Sequence, residues 1–167
     1  MTAMTVDTSI PDSQLTREEI IARNLKAVEA HFHNENPDSV EAAIALYADN
    51  VSWEGPARGI VMKDPKEILA AYRGIFRTVS IKSFTTLRRF ATEEYVFDDQ
   101  VGHAVVVGDE MPNLGFKKGD EVSVRLAHCF EMKDGKIVKE IAYEIFREKG
   151  GVRDVDDIPP GCTPVVF

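Results

Sequence analysis

The chain of 167 residues has little cysteine and no set of residues typical of a metal or phosphate site. Cys129 and Cys162 are too few for a zinc knuckle, and in a reducing compartment we expect them to be free thiols. His31 and His33 would project from different sides of a helix, so they do not make a ligand pair. Glycine-rich phosphate loops and Gly-x-Ser-x-Gly motifs are also absent from the sequence. We therefore predict neither a metal nor a cofactor.

Clusters of basic residues and long apolar runs are lacking as well. A net charge of −8 at pH 7 repels polyanions, and Arg88-Arg89 and Lys117-Lys118 are isolated pairs. No apolar run approaches the roughly 20 residues that a membrane span needs. Residues 1–15 hold neither the basic region nor the hydrophobic region of a secretory signal. These absences predict a cytoplasmic protein that binds neither nucleic acid nor membranes.

Capping residues and hydrophobic periodicity predict three helices in the first half of the chain. Thr16-Arg-Glu-Glu19 is a capping box, and Asp64-Pro65 combines an N-cap with a proline at the first helical position. Asp38 or Ser39 can cap the helix between them, whose apolar side includes Tyr47. The predicted helices are therefore about 16–33, 39–47 and 64–79. A short strand at 51–54 lies between the second and the third helix.

From Ile81 onward the pattern changes to strands separated by turn residues. Four consecutive strands joined by turns and by the Gly108–Gly119 loop favour an antiparallel meander, so the predicted fold class is α+β, with a curved sheet that wraps the helices. We expect a flexible arm at 1–15, one domain at 16–149 and a tail at 150–167 that could fold back over an opening. The four predicted strands are 82–91, 95–107, 120–132 and 136–146.

The clearest local signal is the dipeptide Asp134-Gly135, which is typical of a type I′ β-hairpin turn. With these two residues as the turn, regular pairing places His128 opposite Ile141 and Leu126 opposite Tyr143. Alternation then gives one face that is apolar except for a histidine, a lysine near the turn and a tyrosine. A histidine in such a face is either a core residue with a hydrogen-bond partner or part of a site. That face includes Leu126, His128, Phe130, Lys139, Ile141 and Tyr143.

A second histidine, His103, also lies among apolar residues on a predicted strand, on the side of Val101 and Val105. Because a meander makes the two strands neighbours, His103 and His128 could serve together as general base and general acid, since imidazole exchanges protons near neutral pH. The alternative is that each is a core histidine bonded to a tyrosine or a carbonyl.

Glu54 and three tyrosines are further candidates. Strict alternation places Trp53 on the apolar side of its strand and Glu54 on the other, but a bend at Gly55-Pro56 could turn the carboxylate towards an opening. A carboxyl packed against an indole can act as an acid or a base near neutral pH, while a solvated glutamate is the alternative. Tyrosines on apolar stripes could bring hydroxyls into a pocket or be core residues. They are Tyr47, Tyr72 and Tyr143.

Three segments resemble the nuclear-transport-factor-2-like superfamily, and within it the SnoaL-like polyketide cyclases and the ketosteroid isomerases. They are Ala45–Pro56, Asp64–Tyr72 and His128–Val138. The resemblance implies a cone, made of a strongly bent antiparallel sheet folded round three helices, with a ligand cavity inside. It also implies a homodimer formed through the open face of the sheet. Because members include enzymes without cofactors and pure binding proteins, the fold alone does not decide the function.

The resemblance extends to some of the positions that carry functional residues in the family. His128 matches the strand position from which ketosteroid isomerase supplies an oxyanion-hole acid, and Glu54 or Gly55 matches its general base. Ile145 occupies a position where SnoaL-like proteins often have an acid. Two strand histidines with tyrosines and a carboxylate look more like scytalone dehydratase, a lyase without a cofactor.

The sequence thus predicts a lyase or isomerase without a cofactor, acting on a hydrophobic, aromatic or polycyclic small molecule. His128 and His103 would move protons, Tyr143 and Tyr72 would polarise an oxygen, and Glu54 would assist as acid or base. A ligand-binding or dimerising module without chemistry is the alternative. The predicted substrate-binding residues are Trp53, Tyr47, Leu126, Phe130 and Ile141.

Overall fold

The computed structural model of the chain describes residues 3–150, 161–163 and 165–166. Within these residues, α-helices fill the first half of the chain and long strands fill the second, as the sequence predicts. None of the described helices is long and apolar enough to span a lipid bilayer. The elements are α1 (Arg17–Asn34), α2 (Val40–Ile44), β1 (Tyr47–Gly55), β2 (Ile60–Met62), α3 (Pro65–Thr78), β3 (Val79–Ala91), β4 (Tyr95–Val106), β5 (Glu121–Lys133), β6 (Lys136–Glu148) and β7 (Val165–Val166).

The predicted helix starts are confirmed. Thr16 and Glu19 cap each other reciprocally at the start of α1, and Asp64 accepts a hydrogen bond from the backbone N–H of Lys66 at the start of α3. Each cap satisfies N–H groups that a helix leaves without a partner in its first turn. Local sequence chemistry is therefore sufficient to begin both long helices.

The second helix is shorter than predicted. It ends at Ile44, and Tyr47 already belongs to β1, where it pairs with Ile137 of β6. The carbonyl of Leu46 accepts a hydrogen bond from the N–H of Ile137. Pairing with a strand that is distant in sequence thus overrides the helical pattern of this segment.

The strands form one sheet in the order β2-β1-β6-β5-β4-β3-β7. β3 to β6 make the predicted antiparallel meander, and β1 runs parallel to β6, so the sheet as a whole is mixed. The curved sheet stays open and wraps the helices, which gives the predicted cone-shaped α+β fold.

Two apolar clusters fill the inner face of the sheet, which is the face packed against the helices. The larger cluster joins the helices to β1 and to the hairpin end of the sheet, with Ile68, Phe130 and Ile137 among its fully buried members. The smaller cluster lies at the other end of the sheet and contains Val106, where β4 ends, and Val122, where β5 begins. Buried polar residues lie along the same strands between the clusters, and they form the candidate site.

The two ends of the chain contact the domain. The Asn34 side-chain amide exchanges two hydrogen bonds with the backbone of Met4, and the side chains of Asp12 and Asp134 each accept a hydrogen bond from the other's backbone N–H. Residues 3–15 therefore lie against α1 and the hairpin turn, and their flexibility stays a prediction. Most of the predicted covering tail, 150–167, lies outside the described residues, while β7 pairs with the edge of β3.

Candidate active site

A β-bulge at Val138 determines which side chains of β6 point into the cone. Lys133 pairs with Lys136 across the Asp134-Gly135 turn, both of whose residues have positive φ, as predicted. After the next pair, Met132–Ile137, Val138 is an extra residue with no partner on β5. Because side chains alternate along a strand, one extra residue exchanges the inner and outer faces of everything beyond it.

The bulge makes part of the predicted inner face wrong. His128 pairs with Ala142 and not with Ile141, and Leu126 pairs with Glu144 and not with Tyr143. Ile141 and Tyr143 therefore point to the outer face, where the Tyr143 side chain is 48% exposed. In their place Glu140, Ala142 and Glu144 are buried on the inner face.

His128 lies at the centre of the inner face between two carboxylates. Its Nδ1 is 3.8 Å from Oδ2 of Asp98, the residue directly opposite on β4, and its Nε2 is 3.9 Å from Oε1 of Glu140. The ring stacks on Phe130 and meets Phe32 edge to face. The His128 side chain is only 7% exposed, so both carboxylates act on it with little screening by water.

Asp98 is held in place by two donors. Arg89 Nε donates to its Oδ1 at 2.6 Å, and Gln100 Nε2 donates to its Oδ2 at 2.5 Å. Burial by itself raises the pKa of Asp98, but the contacts with His128 and Arg89 outweigh burial and keep that pKa below its ordinary value. Asp98 is therefore ionised at neutral pH and can orient and stabilise a cationic His128.

Glu140 is the centre of a second group of buried side chains. Its Oε2 accepts a hydrogen bond from the hydroxyl of Tyr47 and lies 3.6 Å from Nε2 of His31. The Tyr72 hydroxyl lies 3.2 Å from both the Tyr47 hydroxyl and His31 Nε2. The α1, β1 and α3 elements thus each direct a polar side chain at the acid supplied by β6.

Burial controls the protonation of these groups. Burial, and then the neighbouring Glu140, raise the pKa of Tyr47 and of Tyr72 well above the ordinary value, so both phenols stay protonated. Burial lowers the pKa of His31, although Glu140 partly opposes the shift. His31 is therefore a neutral imidazole at neutral pH, and the two tyrosines are permanent donors.

Glu35, the residue that ends α1, brings a second carboxyl close to the same group. Burial, and then repulsion from Glu140, raise the pKa of Glu35 well above its ordinary value, while a hydrogen bond from Tyr72 opposes the shift. Two carboxyl groups that share an apolar site cannot easily both be ionised. Burial and the neighbouring Glu140 therefore favour the protonated form of Glu35.

Arg58 and Glu144 form a buried ion pair farther along the inner face. Arg58 Nε and Nη2 donate to the two oxygens of Glu144 at 2.5 and 3.0 Å. The guanidinium group also lies over the Trp53 ring, 5.8 Å from its centroid. This ion pair lies next to His128 on the inner face, because Glu144 pairs with Leu126, two residues before His128 on β5.

His103 is not a partner of His128. It pairs with Ser123 on β5, whereas His128 pairs with Asp98 on β4. Ser123 and His128 are five positions apart on one strand, and an odd separation puts the two histidines on opposite faces. His103 Nδ1 lies 3.0 Å from Ser123 Oγ. Burial, followed by Lys149 and Arg147, lowers its pKa. The predicted imidazole pair is therefore wrong.

Glu54 points away from the cone. Val51 and Trp53 are buried on the inner face, and the Glu54 carboxylate forms an ion pair with Lys139 Nζ at 2.7 Å on the outer face. Strict alternation predicts this orientation, and the bend at Gly55 does not reverse it. Glu54 therefore does not join His128.

The predicted binding residues divide between the two faces. Tyr47, Trp53 and Phe130 are buried in the larger apolar cluster, and Leu126 is half-buried on the inner face, whereas Ile141 lies outside. Two surface cavities, of about 780 and 490 Å³, lie elsewhere and are not lined by His128 or Glu140. Among the described residues no group of histidine, cysteine and acidic side chains is arranged to hold a metal ion.

Sequence reasoning missed four site residues, and a usable signal exists for only two of them. His31 follows Asn24 and Ala27 at spacings of seven and four on the buried stripe of α1. Asp98 shares the face of Val96 on β4. Glu140 depends on the bulge, and Glu35 depends on where α1 ends, so neither is visible in a local pattern.

Comparisons with known proteins agree with this architecture. Residues 28–140, well over half of the chain, match the family model described as the SnoaL-like domain. Among solved structures, an LEH-like epoxide hydrolase from M. tuberculosis is 15% identical with a TM-score of 0.59, and the match covers 75% of this chain and 84% of that one. A candidate polyketide cyclase from Silicibacter has 11% identity, a TM-score of 0.63, and coverage of 75% and 90%.

A nuclear-transport-factor-2-like protein from Burkholderia xenovorans has 12% identity, a TM-score of 0.62, and coverage of 75% and 91%. At these identities the structures show the fold alone. No curated protein sequence matches the chain. The match to the family model, together with the open cone, establishes that the chain belongs to the SnoaL-like domain family and to the nuclear-transport-factor-2-like superfamily.

Proposed function

We propose that this protein is a lyase or isomerase that needs no cofactor and acts on a hydrophobic, aromatic or polycyclic small molecule by general acid/base catalysis. The observation that carries the proposal is the burial of His128 between Asp98 and Glu140. An imidazole held between two carboxylates is a base whose cationic form is stabilised where it forms. The reaction is proton abstraction next to a carbonyl or hydroxyl, followed by elimination, aldol-type cleavage or ring closure.

Each group of the site has a role in this scheme. His128 takes the proton from carbon, Asp98 orients the ring through Nδ1, and Glu140 accepts or returns the proton at the Nε2 side. The Tyr72 and Tyr47 hydroxyls stay protonated because their pKa values are raised, chiefly by burial, so they can donate hydrogen bonds to a developing oxyanion or to Glu140.

The side chains around this centre support an apolar substrate. Trp53 and Phe130 belong to the larger apolar cluster, and Leu126 and Phe32 are half-buried beside His128. Apolar walls with a few convergent polar groups are typical of small-molecule sites. Similar folds named as an epoxide hydrolase and a candidate polyketide cyclase also favour small-molecule chemistry.

The test compares His128→Gln with His103→Gln, which removes an imidazole from the outer face. Both proteins are assayed against aromatic and polycyclic β-hydroxyketones, with elimination and isomerisation products measured by mass spectrometry. We expect His128→Gln to lose about 10²–10⁴-fold in turnover, the usual contribution of a general base. His103→Gln should keep its activity. A His128→Gln protein with full activity would refute the assignment.

The alternative, a ligand-binding or dimerising module, is favoured by one observation. Tyr143 and Ile145 are 48% and 60% exposed on the outer face of β6. Apolar side chains in this position suit contact with a second copy of the chain, so a homodimer is proposed for either function. Sedimentation of a Tyr143→Ser/Ile145→Ser double variant tests the dimer. NMR of His128 during addition of a planar aromatic ligand separates a ligand site from an inert core.

A further inference from the structure

Leu126 marks an open part of the inner face. Its side chain is half-buried, whereas Val124 and His128, its neighbours on the same face of β5, are buried. Gln100 of β4 and Glu144 of β6 pair with Leu126 from either side, and both of these are buried as well. Leu126 is therefore an apolar floor that is bordered by polar side chains.

An aromatic ring borders this floor on the side away from His128. Gly102 lies two residues after Gln100 on the same face of β4, and the ring of Phe84 lies across it. A Cβ atom at Gly102 would be 2.4 Å from that ring, so glycine is needed for this close approach. Phe84 is half-buried, which leaves part of it accessible. The apolar floor and the ring beside it suit an apolar, ring-shaped molecule.

The side-chain amide of Gln100 is held in one orientation. Its Nε2 donates to Asp98 Oδ2 at 2.5 Å, and Arg89 Nε donates to the other oxygen of the same carboxylate at 2.6 Å. Because a carboxylate only accepts, the amide cannot turn over without losing its bond, so Oε1 points away from Asp98. Among the described residues no group donates to Oε1, and Oε1 is not one of the side-chain atoms sealed off without a partner. Gln100 thus offers a fixed, accessible acceptor.

His128 also has an accessible polar atom in this region. Its Nδ1 is sealed off beside Asp98, whereas its Nε2 is not sealed and lies 3.9 Å from Glu140 Oε1. Gln100 and His128 are diagonal neighbours on one face of the β4–β5 pair, and the Cα atoms of such neighbours are about 7–8 Å apart. One small molecule seated on Leu126 can therefore reach both side chains.

We propose that Gln100 Oε1 accepts a hydrogen bond from a hydroxyl group of the substrate, whose apolar ring lies on Leu126. This inference rests on the proposed function and names its substrate class, a cyclic apolar alcohol whose hydroxyl lies near the carbon that loses a proton to His128. Gln100 is thereby a specificity residue. An acceptor in a buried site favours a hydroxyl over an ether or a hydrocarbon, because neither of these gives Oε1 a donor.

The test measures binding and needs no turnover. The probes are 1-indanol, which combines an apolar ring with a hydroxyl, indane, which lacks the hydroxyl, and 1-methoxyindane, whose oxygen cannot donate. Dissociation constants are obtained by NMR from the shifts of the Leu126 methyl groups, which every variant keeps. The variant Gln100→Met has a similar side-chain volume but no amide. The matched control is Gln14→Met, at an exposed position in the N-terminal segment.

We expect the wild type and Gln14→Met to bind 1-indanol about tenfold more tightly than either analogue, and Gln100→Met to bind all three probes with similar affinity. A purely structural role of Gln100 predicts instead that the variant binds all three probes more weakly by one common factor. A Gln100→Met protein that keeps the full preference for 1-indanol would overturn the proposal.

The wild-type protein alone also decides the matter if Gln100→Met fails to fold. A wild type that binds 1-indanol no more tightly than 1-methoxyindane would overturn the proposal. Gln14 and Gln100 are the only two glutamines of the chain, so ¹⁵N-glutamine labelling gives two side-chain amide signals. We expect 1-indanol to shift the signal of Gln100 and to leave that of Gln14 unchanged, and an unshifted Gln100 signal contradicts the hydrogen bond.

This proposal and the catalytic assignment fail separately. Full activity in His128→Gln removes the catalytic assignment but leaves the preference for 1-indanol unaffected. Absence of that preference removes the role of Gln100 but leaves the turnover loss of His128→Gln unaffected.

Discussion

The Glu140 carboxylate accepts a hydrogen bond from the Tyr47 hydroxyl, across the parallel pairing of β6 with β1. Both side chains are buried, so this bond replaces water that the carboxylate has lost. The geometry has two origins. The bulge at Val138 turns Glu140 inward, and β1 begins early enough for Tyr47 to reach it. A buried acid with a fixed donor is the result.

Replacing Glu140 should destabilise the fold because its neighbours lose their acceptor. In Glu140→Ala the Tyr47 hydroxyl loses its carboxylate acceptor and keeps only the 3.2 Å contact with the Tyr72 hydroxyl, so we expect a cost of about 1–3 kcal/mol. Glu140→Gln keeps an acceptor oxygen and should cost less. Urea unfolding measures both, with Glu148→Ala, exposed on the same strand, as the control that stays within about 0.5 kcal/mol of wild type. Equal losses in Glu140→Ala and Glu148→Ala would contradict the burial of Glu140.

The elements of this fold could be predicted because their signals are local. The capping box at Thr16, the Asp64-Pro65 start and the Asp134-Gly135 turn each set the backbone through chemistry within a few residues, and the structure confirms all three. The ends of the four long strands are also close to those predicted.

The site could be predicted only in part, because its geometry depends on contacts that are distant in sequence. Alternation predicts His128 and a helical stripe predicts Tyr72, because those patterns are regular where the two residues lie. Tyr47 is buried as predicted, but in β1 and not on a helix. Because of the single extra residue Val138, Glu140 lies on the inner face and Ile141 on the outer face. No local sequence pattern predicts such a bulge.

Deleting Val138 should remove the bulge without changing the inner face of β6. The pairs Met132–Ile137 and Glu131–Lys139 would become consecutive, so Glu140 would stay on the inner face and Ala142 would stay opposite His128. Deletion of Lys118, exposed in the loop before β5, is the control. We expect both deletions to lower the melting temperature by a similar small amount, because neither inverts a buried face. Thermal unfolding measures both, and a much larger loss in the Val138 deletion would contradict this register.

The Arg58–Glu144 pair should behave as a buried ion pair. Arg58→Met leaves an uncompensated carboxylate and should cost about 3–5 kcal/mol, whereas the double variant Arg58→Met/Glu144→Leu should recover much of that loss. The matched control is the Arg73–Glu41 pair, which is half exposed and should contribute less than about 1 kcal/mol. Denaturant unfolding of both double-mutant cycles provides the comparison. Equal coupling energies in the two cycles would be inconsistent with this structure.

The raised pKa of Glu35 predicts how stability depends on pH. Above the ordinary carboxyl range the unfolded chain releases the Glu35 proton, while the folded protein, in which burial raises that pKa, keeps it. The folded state then binds more protons than the unfolded state, so the free energy of unfolding falls as pH rises, by at most ~1.4 kcal/mol per pH unit. Glu35→Gln removes this loss, and its advantage over wild type should therefore grow between about pH 5 and the folded pKa.

His31 acts in the opposite direction, because burial lowers its pKa and stability is lost as pH falls below the ordinary histidine range. His31 is present in both proteins, so its contribution largely cancels when Glu35→Gln is compared with wild type. Glu29→Gln, exposed on the same helix, is the matched control for removal of a carboxyl group. Urea unfolding at several pH values between 5 and 8 measures all three proteins. An advantage of Glu35→Gln that stays constant over this range would mean that Glu35 is ionised in the folded protein.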